Sequence, residues 1–377
     1  MITKKILDFD YQLNRIFGKF ISQKEYDRPD IAEGIYDIIV CHREGFQDNF
    51  NNILKYANYN TKIVVDVTTE SGNLQMFLDD FFEKVSNHSN QFYLIIDSNI
   101  DYYIYHHEFY YKNLKILQGF DLVFYAFLNK SSDNRLDNAN EIFANTNGFI
   151  SLNNSCRLHR VYLLLQLLKR NISIENCSFL FSTGGHGGSK FNKGVFEDCI
   201  EHLLISNSIN NSDASLLKSI DLPKNLDYDL NQYSYINNQI NELYRPIINL
   251  VTENVIGMTH GDASEYDLIT FTEKIIKPFL AKQIPLFIAL PGLQQTLRDL
   301  GFDLFDDLIQ TNYEFETNHE NRIKMILDEL ERLLKLDLVE YKKQNEFRFE
   351  NNYKLLETLT NSGEERMKSF LYEEILK

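Results

Sequence analysis

Residues 149–182 read FISLNNSCRLHRVYLLLQLLKRNISIENCSFLFS, and their pattern of apolar residues indicates the fold class. Its first residues, FISL (149–152), form a short apolar run that predicts a strand. RVYLLLQLLKRN (160–171) has the spacing of an amphipathic helix, and CSFLFS (177–182) predicts a second buried strand. A strand, a helix and a strand in succession are typical of a parallel sheet covered by helices.

The same alternation extends along the chain in both directions. Toward the carboxyl terminus, the predicted elements are the strand INLVTEN (248–254), the helix EKIIKPFLAKQ (273–283) and the strand IPLFIAL (284–290). The polar residues 206–242 predict an irregular excursion. In the amino-terminal part, four apolar runs predict buried strands: YDIIV (36–40), KIVVDV (62–67), FYLIID (92–97) and FDLVFYAF (120–127).

The fold class predicted from this pattern is α/β, with two Rossmann-like domains and a helical carboxyl-terminal tail. The chain has 377 residues, 44% of them hydrophobic, which is more than one core of ordinary size holds. We predict an amino-terminal α/β domain over residues 1–148 and a carboxyl-terminal α/β domain over residues 149–317. Residues 318–377 are highly charged with a helical period, and they predict the tail.

Charge and cysteine content restrict the partners and the location. The net charge of −16 gives a field that repels DNA at long range, which disfavours a DNA partner. The four cysteines lack CxxC and zinc-site spacing, so reduced thiols in the cytoplasm are expected. The start lacks the apolar core of a signal peptide, and no apolar stretch approaches the ~20 residues of a membrane helix. We therefore expect a protein of the cytoplasm, or of the host cytoplasm for a virus-encoded chain, with no membrane span.

The segment TFTEKIIKPF (270–279) has two interpretations. Thr270 and Glu273 have the spacing of a capping box, which leaves Lys274 and Lys277 as solvated side chains. Alternatively, the helix start offers N–H groups to an anion, the two lysines neutralise a diphosphate, and Glu273 holds a ribose diol. Pro278 predicts a short or bent helix.

The segment SLNNSCRLHR (151–160) places two arginines, Arg157 and Arg160, at the entry of the predicted helix. Cations at a helix start oppose the helix dipole, and an anionic ligand removes that conflict. The alternative is a pair of ordinary surface arginines. His159, between them, is expected to be structural.

A glycine-rich loop, TGGHGGSK (183–190), follows the strand CSFLFS. Its glycines permit close approach of the backbone to a ligand, but the spacing is neither that of a P-loop nor G-x-G-x-x-G. The interpretation as a mobile loop at a strand end is favoured over that as a phosphate cradle. Gly184, Gly185, His186 and Gly187 are the candidate substrate loop, with His186 at its tip as the residue that would contact substrate.

These motifs together resemble the donor-binding half of the α-1,3-fucosyltransferase family. The shared features are the serine–asparagine segment before the arginine helix, LVTEN (250–254) and FTEKIIKPFLAKQIPLFIALPG (271–292). Glycosyltransferase-like proteins of large phages and some bacteria are more similar, since they also share the run LRDLGFDLFDDLIQTNYE (297–314). The resemblance covers roughly residues 149–170 and 248–335. The fucosyltransferases lack the lysine–proline of 277–278 and this last run, so their base and sugar specificity do not carry over.

The resemblance implies a two-domain glycosyltransferase of the GT-B type whose carboxyl-terminal domain binds a GDP- or UDP-sugar, with no permanently bound cofactor. Arg160 would contact the diphosphate with Arg157 beside it, and Glu273 would hold the ribose. Lys274 would lie near the phosphates or the sugar, and Glu253 close to the sugar. Lys277 would add positive charge for the leaving group.

The resemblance to GT-B enzymes, which generally need no metal bound by an Asp-x-Asp motif, implies a mechanism independent of metal. Neither Asp-x-Asp triplet, DFD (8–10) or DYD (227–229), lies at a plausible strand end. The acceptor hydroxyl needs a general base from the facing domain. The candidate bases at strand ends are Glu44, Asp66 and Glu70, each of which has the alternative role of a cap or a surface acid.

The expected acceptor is a hydroxyl of a glycan, a glycolipid or a protein. A hydroxylated DNA base is disfavoured by the charge, because phosphate contacts dominate affinity for DNA. Two alternatives remain: a non-catalytic binding or scaffold protein that retains the fold, and another phosphate-binding α/β enzyme that uses the glycine-rich loop.

Overall fold

The computed structural model of the chain is α/β, with two parallel sheets that lie in two compact units. Unit 1 comprises Met1–Asp133, Tyr266–Glu273 and Leu356–Lys377, and unit 2 comprises Asn134–Glu265 and Lys274–Leu355. None of the helices described is long and apolar enough to cross a membrane. The structure describes residues 4–9, 27–28, 32–67, 74–96, 113–122, 124, 144–182, 192–222, 244–253, 269 and 271–377.

The sheet of unit 1 has five parallel strands whose spatial order follows the sequence. One face packs against two helices, α1 (Arg43–Leu54) and α2 (Leu74–Ser86), through a cluster of phenylalanines that includes Phe46, Phe81 and Phe92. The predicted strands at 36–40, 62–67 and 92–97 correspond to the second, third and fourth strands. The strands are β1 (Ile6–Asp8), β2 (Ile38–His42), β3 (Lys62–Asp66), β4 (Gln91–Ile96) and β5 (Leu114–Gln118).

The predicted strand FDLVFYAF (120–127) is wrong over its described part, because residues 121, 122 and 124 are helical. The fifth strand is instead Leu114–Gln118, a partly exposed edge strand that lacks a continuous apolar run. Gly119 ends it with φ +148°, and the Asp121 carboxylate accepts hydrogen bonds from Arg366 and Ser362. A strand continued through 121 would lose these bonds.

The sheet of unit 2 has four parallel strands, and the first strand in the sequence lies between the second and the third in space. The inner strand Thr146–Ser155 begins three residues before the predicted FISL strand and extends three residues past it. It includes polar residues because the side chains of Ser151 and Asn153 are hydrogen-bonded within the sheet. The strands are β6 (Thr146–Ser155), β7 (Cys177–Ser182), β8 (Pro246–Thr252) and β9 (Ile284–Ile288).

Four helices of unit 2, Leu158–Lys169, Lys193–Ile205, Asn211–Lys218 and His319–Leu333, bury a shared core with this sheet. Residues 211–218, inside the predicted irregular excursion, form a helix that begins with a capping box between Asn210 and Asp213. The helix that contains Pro278 has eight residues and ends two residues after the proline. In chain order the helices are α3 (Leu158–Lys169), α4 (Lys193–Ile205), α5 (Asn211–Lys218), α6 (Glu273–Leu280), α7 (Leu293–Asp299), α8 (His319–Leu333) and α9 (Leu338–Gln344).

The predicted tail, residues 318–377, is divided between the two units. In unit 2, α8 buries a stripe that includes Ile323, Ile326 and Leu330. The last helix, α10 (Glu346–Phe370), passes from unit 2 into unit 1 along the chain. Met367 and the π-helical turn Leu371–Ile375 then cover the second face of the unit 1 sheet. The apolar stripes explain why this charged segment does not form a separate domain: burying them stabilises both cores.

Candidate functional site at the carboxyl edge of the second sheet

The order of strands in unit 2 creates a topological switch point between β6 and β8. The chain leaves β6 for β7 on one side and later returns to β8 on the other side. In open parallel sheets, ligands bind outside the carboxyl ends of the strands at such a point. The residues that follow β6 and β8 are therefore the candidate functional site.

A chain of buried polar side chains joins the ends of these two strands. Thr252 Oγ1 donates to Asn153 Oδ1 at 2.7 Å, and Asn153 Nδ2 donates to Ser151 Oγ at 3.1 Å. Ser151 Oγ donates in turn to the carbonyl oxygen of Leu250 at 3.0 Å. These bonds explain why Ser151 and Asn153 of the SLNNS segment are polar: their side chains are satisfied inside the sheet and hold β6 and β8 together.

Arg160, in the first turn of α3, is buried with 1% of its surface exposed. Its Nη1 donates to the carbonyl oxygen of Ser155 at 3.1 Å, and its Nη2 donates to that of Thr252 at 3.3 Å. Arg160 therefore ties the last residues of β6 and β8 together. It was predicted to contact a diphosphate, whereas its guanidinium is directed at main-chain carbonyls.

Arg157 lies at the N-cap of α3 and is partly buried. Its side chain makes no cap hydrogen bond, and the first turn of the helix contains no acidic residue. The Nε atom is buried and has no hydrogen-bond partner in the part of the chain that the structure describes. Burial lowers the pKa of Arg157. A cation at this position retains hydrogen-bonding capacity that an anion would satisfy.

Two further basic residues, missed by the sequence analysis, lie at the same edge on α8. Arg322 Nη1 donates to the carbonyl oxygen of Ala289, just after β9, and its Nη2 lies 3.0 Å from His319 Nδ1. Burial lowers the pKa of Arg322 to about 10. Both residues are buried, and their spacing with Ile323 and Ile326 places them on the apolar stripe of the helix. In the sequence, this helical spacing with the two isoleucines was the available signal that His319 and Arg322 are buried.

Glu253 supplies an acidic group at this edge. It follows β8 directly, is 3% exposed, and its main-chain N–H donates to the carbonyl oxygen of Ile288 at 3.0 Å. Its own carbonyl oxygen contacts His159. The predicted Glu253 is thus brought to the same strand ends as Arg157 and Arg160.

The lysines of α6 are partly exposed. Three residues, 281–283, join this helix to the start of β9, so its last turn lies at the opposite, amino edge of the sheet. Lys274, in the first turn, is farther from that edge than Lys277. The side chain of Glu273 and residue Thr270 lie outside what the structure describes, as do Gly184, Gly185, His186 and Gly187.

The candidate bases belong to unit 1. Asp66 is fully buried at the end of β3, and it is the register partner of His42, which is 6% exposed at the end of β2. Asp8 ends β1 and is 1% exposed. The expectation that the triplet DFD (8–10) lies at no strand end is therefore wrong, although Asp10 lies outside the described residues. His42 was missed, although it follows the apolar run IIVC as Asp66 follows IVV. The side chain of Glu44 and the whole of Glu70 lie outside the described residues.

Two negative findings complete the description. Among the residues that the structure describes, no group of three or more His, Cys, Asp or Glu side chains has an arrangement that could hold a metal ion. No family model, curated protein or solved structure matches the chain.

Proposed function

We propose that the chain is a glycosyltransferase that moves a sugar from a GDP- or UDP-sugar to a hydroxyl acceptor. In this proposal the two units are Rossmann-like domains of the GT-B type, and the protein acts in the cytoplasm. The observation that carries the proposal is the partly buried Arg157 at a topological switch point, with a buried Nε directed at no described acceptor.

The chemistry favours an anionic ligand over a neutral one. Three arginines, Arg157, Arg160 and Arg322, lie at the carboxyl edge of one small sheet. Arg160 and Arg322 bind main-chain carbonyls, so their charge adds to the local field while their geometry is fixed. A diphosphate leaving group develops negative charge as the glycosidic bond breaks, and preorganised cations stabilise that charge.

The proposal changes the predicted division of roles. Arg157 makes the direct contact with the diphosphate, and Arg160 positions the strand ends that flank it. Glu253, Glu273 and Lys274 keep their proposed roles toward the sugar, the ribose and the phosphates. Lys277 loses its role, because it lies in the last turn of α6, toward the amino edge of the sheet. Asp66, Glu44 and Glu70 remain candidate general bases, and His42 joins them as the register partner of Asp66.

The experiment is a thermal-shift panel of nucleotide sugars, followed by titration of Arg157→Ala. A true donor at about 100 times its dissociation constant stabilises the protein by roughly 2.7 kcal/mol. Loss of one charge-assisted hydrogen bond weakens that binding by about tenfold to a hundredfold. Arg170→Ala is the matched control, because Arg170 is the C-cap at the other end of α3.

Three results separate the proposal from its alternatives. Turnover of the donor to a nucleoside diphosphate distinguishes an enzyme from a binding protein that retains the fold. A stronger response to a nucleoside triphosphate with Mg²⁺ favours a different phosphate-binding enzyme. A panel with no stabilising nucleotide sugar, or an Arg157→Ala variant that binds like the wild type, contradicts the proposal.

A further inference from the structure

Two cysteines that are distant in the sequence meet in unit 2. The sulfur of Cys156 donates a hydrogen bond to the sulfur of Cys199 over 3.7 Å. Cys156 follows the last residue of β6 and immediately precedes Arg157, whereas Cys199 lies in the middle of α4. All four cysteines of the chain are free thiols.

Packing of the second core holds these two thiols together. Cys199 lies on the buried face of α4 with Phe196, Ile200 and Leu203, and Cys156 packs against the same cluster. Cys156 is partly exposed, so a small oxidant reaches the pair from solvent. Cys41 and Cys177 are both fully buried, and Cys41 directs its sulfur at the carbonyl oxygen of Val64.

We propose that Cys156 and Cys199 form a reversible disulfide under a mild oxidant such as hydrogen peroxide, and that this bond alters the position of Arg157 at the proposed anion site. A disulfide has an S–S distance of about 2.05 Å, so the two sulfurs must approach by roughly 1.7 Å. A shift of that size is within the reach of side-chain rotation together with a small movement of the residues before α3.

The oxidation proceeds in two balanced steps. The Cys199 thiolate attacks one peroxide oxygen: an S–O bond forms, the O–O bond breaks, and the departing hydroxide becomes water with the proton that the thiol released. The sulfur of Cys156 then attacks the sulfenic acid of Cys199: the S–S bond forms, the S–O bond breaks, and a second water leaves with the Cys156 proton. The two thiols lose two electrons, and the peroxide is reduced to two waters.

The hydrogen bond between the thiols assigns the order of attack. Because Cys156 donates, it stabilises the thiolate of Cys199 and lowers the pKa of that residue. The same bond raises the pKa of Cys156, which therefore stays protonated until it resolves the sulfenic acid. Thiolate character determines which cysteine reacts with a peroxide first.

The first test is thiol counting and peptide mapping of the full chain without reductant. After peroxide treatment, we expect two of the four thiols to disappear, and a peptide that links residues 156 and 199 to appear and to vanish with dithiothreitol. Cys41→Ala, in unit 1, should leave this link unchanged. In Cys156→Ser, dimedone should trap a sulfenic acid on Cys199, and Cys199→Ser should trap far less on Cys156. Retention of four thiols, or links only between separate molecules, overturns the pair.

The second test measures the affinity of inorganic pyrophosphate before oxidation, after oxidation and after re-reduction. This part rests on the proposed function, because it uses the anion site. A displacement of about 1 Å in a positioning group costs up to roughly a hundredfold in catalysis, so we expect pyrophosphate to bind about tenfold more weakly to the disulfide form. Equal affinity of the two forms overturns the effect on Arg157. If the reduced protein does not bind pyrophosphate, the proposed function fails there, and thiol mapping alone decides the cysteine pair.

Discussion

His159 Nε2 lies 3.0 Å from the carbonyl oxygen of Glu253, so the first turn of α3 is tied to the residue that follows β8. A carbonyl oxygen only accepts hydrogen bonds, and Nε2 therefore carries the proton. Burial, together with the charges of Arg160 and Arg157, holds the pKa of His159 well below its usual range. His159 is thus neutral near pH 7, and it contributes a donor rather than a charge to the candidate site.

This arrangement makes stability depend on pH. The unfolded chain protonates His159 near pH 6.5, whereas the folded protein resists protonation to a much lower pH. The stability is therefore fully present above about pH 6.5 and is lost as the pH falls toward the folded-state pKa. The loss has a slope of up to about 1.4 kcal/mol per pH unit.

Substitution of His159 by Gln should remove this contribution, because the amide still donates to Glu253 but does not titrate. Urea unfolding followed by circular dichroism between pH 5 and pH 7 measures the slope for each variant. His202→Gln, on the exposed face of α4, is the control and should keep the wild-type slope. An unchanged slope in His159→Gln contradicts the assignment.

Arg160, in the first turn of α3, should contribute more to stability than Arg170, the C-cap of the same helix. Arg160→Met leaves the carbonyls of Ser155 and Thr252 without their buried donor, which costs roughly 2–4 kcal/mol. Arg170 forms partly exposed bridges to Asp328 and Glu331, and its loss should cost about 1 kcal/mol or less. Denaturant unfolding of Arg160→Met and Arg170→Met provides the comparison, and similar losses would show that Arg160 is not a structural tie.

Gly119 should be far less tolerant of substitution than Gly194. A Cβ atom at position 119 would lie 2.6 Å from Arg366 Nη1 and 2.7 Å from Asp121 Oδ1, at a φ of +148°. Gly119→Ala therefore breaks or displaces that ion pair and should destabilise the protein by more than about 2 kcal/mol. At Gly194, in the first turn of α4, a Cβ would lie 3.4 Å from Asn192 Oδ1, the nearest atom among the described residues. Gly194→Ala should be neutral or stabilise by up to about 1 kcal/mol, and equal effects would contradict the steric argument.

Sequence analysis correctly predicted strands that form continuous apolar runs. In KIVVD the last four residues are all buried, as expected for a strand of a parallel sheet that is covered on both faces. In CSFLFS the side chains of Cys177, Phe179 and Phe181 are buried. The strand Leu114–Gln118 was missed because an edge strand needs fewer apolar residues. FDLVFYAF was mistaken for it because Leu122 and Phe124 are buried from helical positions. The hydrogen bonds of Asp121 come from residues 241 and 245 positions away. Such long-range partners leave no local pattern.

The candidate site was predictable in its positions and not in its geometry. The conflict between Arg157 and the helix dipole indicated a helix start near an anion, and the structure places a helix there. Whether Arg160 points to solvent or to Thr252 depends on where β8 lies. Arg160 and Thr252, which share a hydrogen bond, are 92 positions apart in the sequence. Arg322 was overlooked because its segment was assigned to a solvated tail.

The last turn of the chain provides a direct test of how the predicted tail is used. Leu371 is fully buried against Ile38, Val40 and Val64 of the unit 1 sheet, whereas its neighbour Tyr372 is 44% exposed. Leu371→Ala removes core volume that the sheet cannot refill and should lower the free energy of unfolding by about 2–5 kcal/mol. Tyr372→Ala should cost about 1 kcal/mol or less. The two variants shorten adjacent side chains of one turn, so a general weakening of the helix would affect both alike. If neither variant is destabilised in denaturant unfolding, residues 371–377 behave as a solvated tail, and the assignment of this segment to the core of unit 1 is wrong.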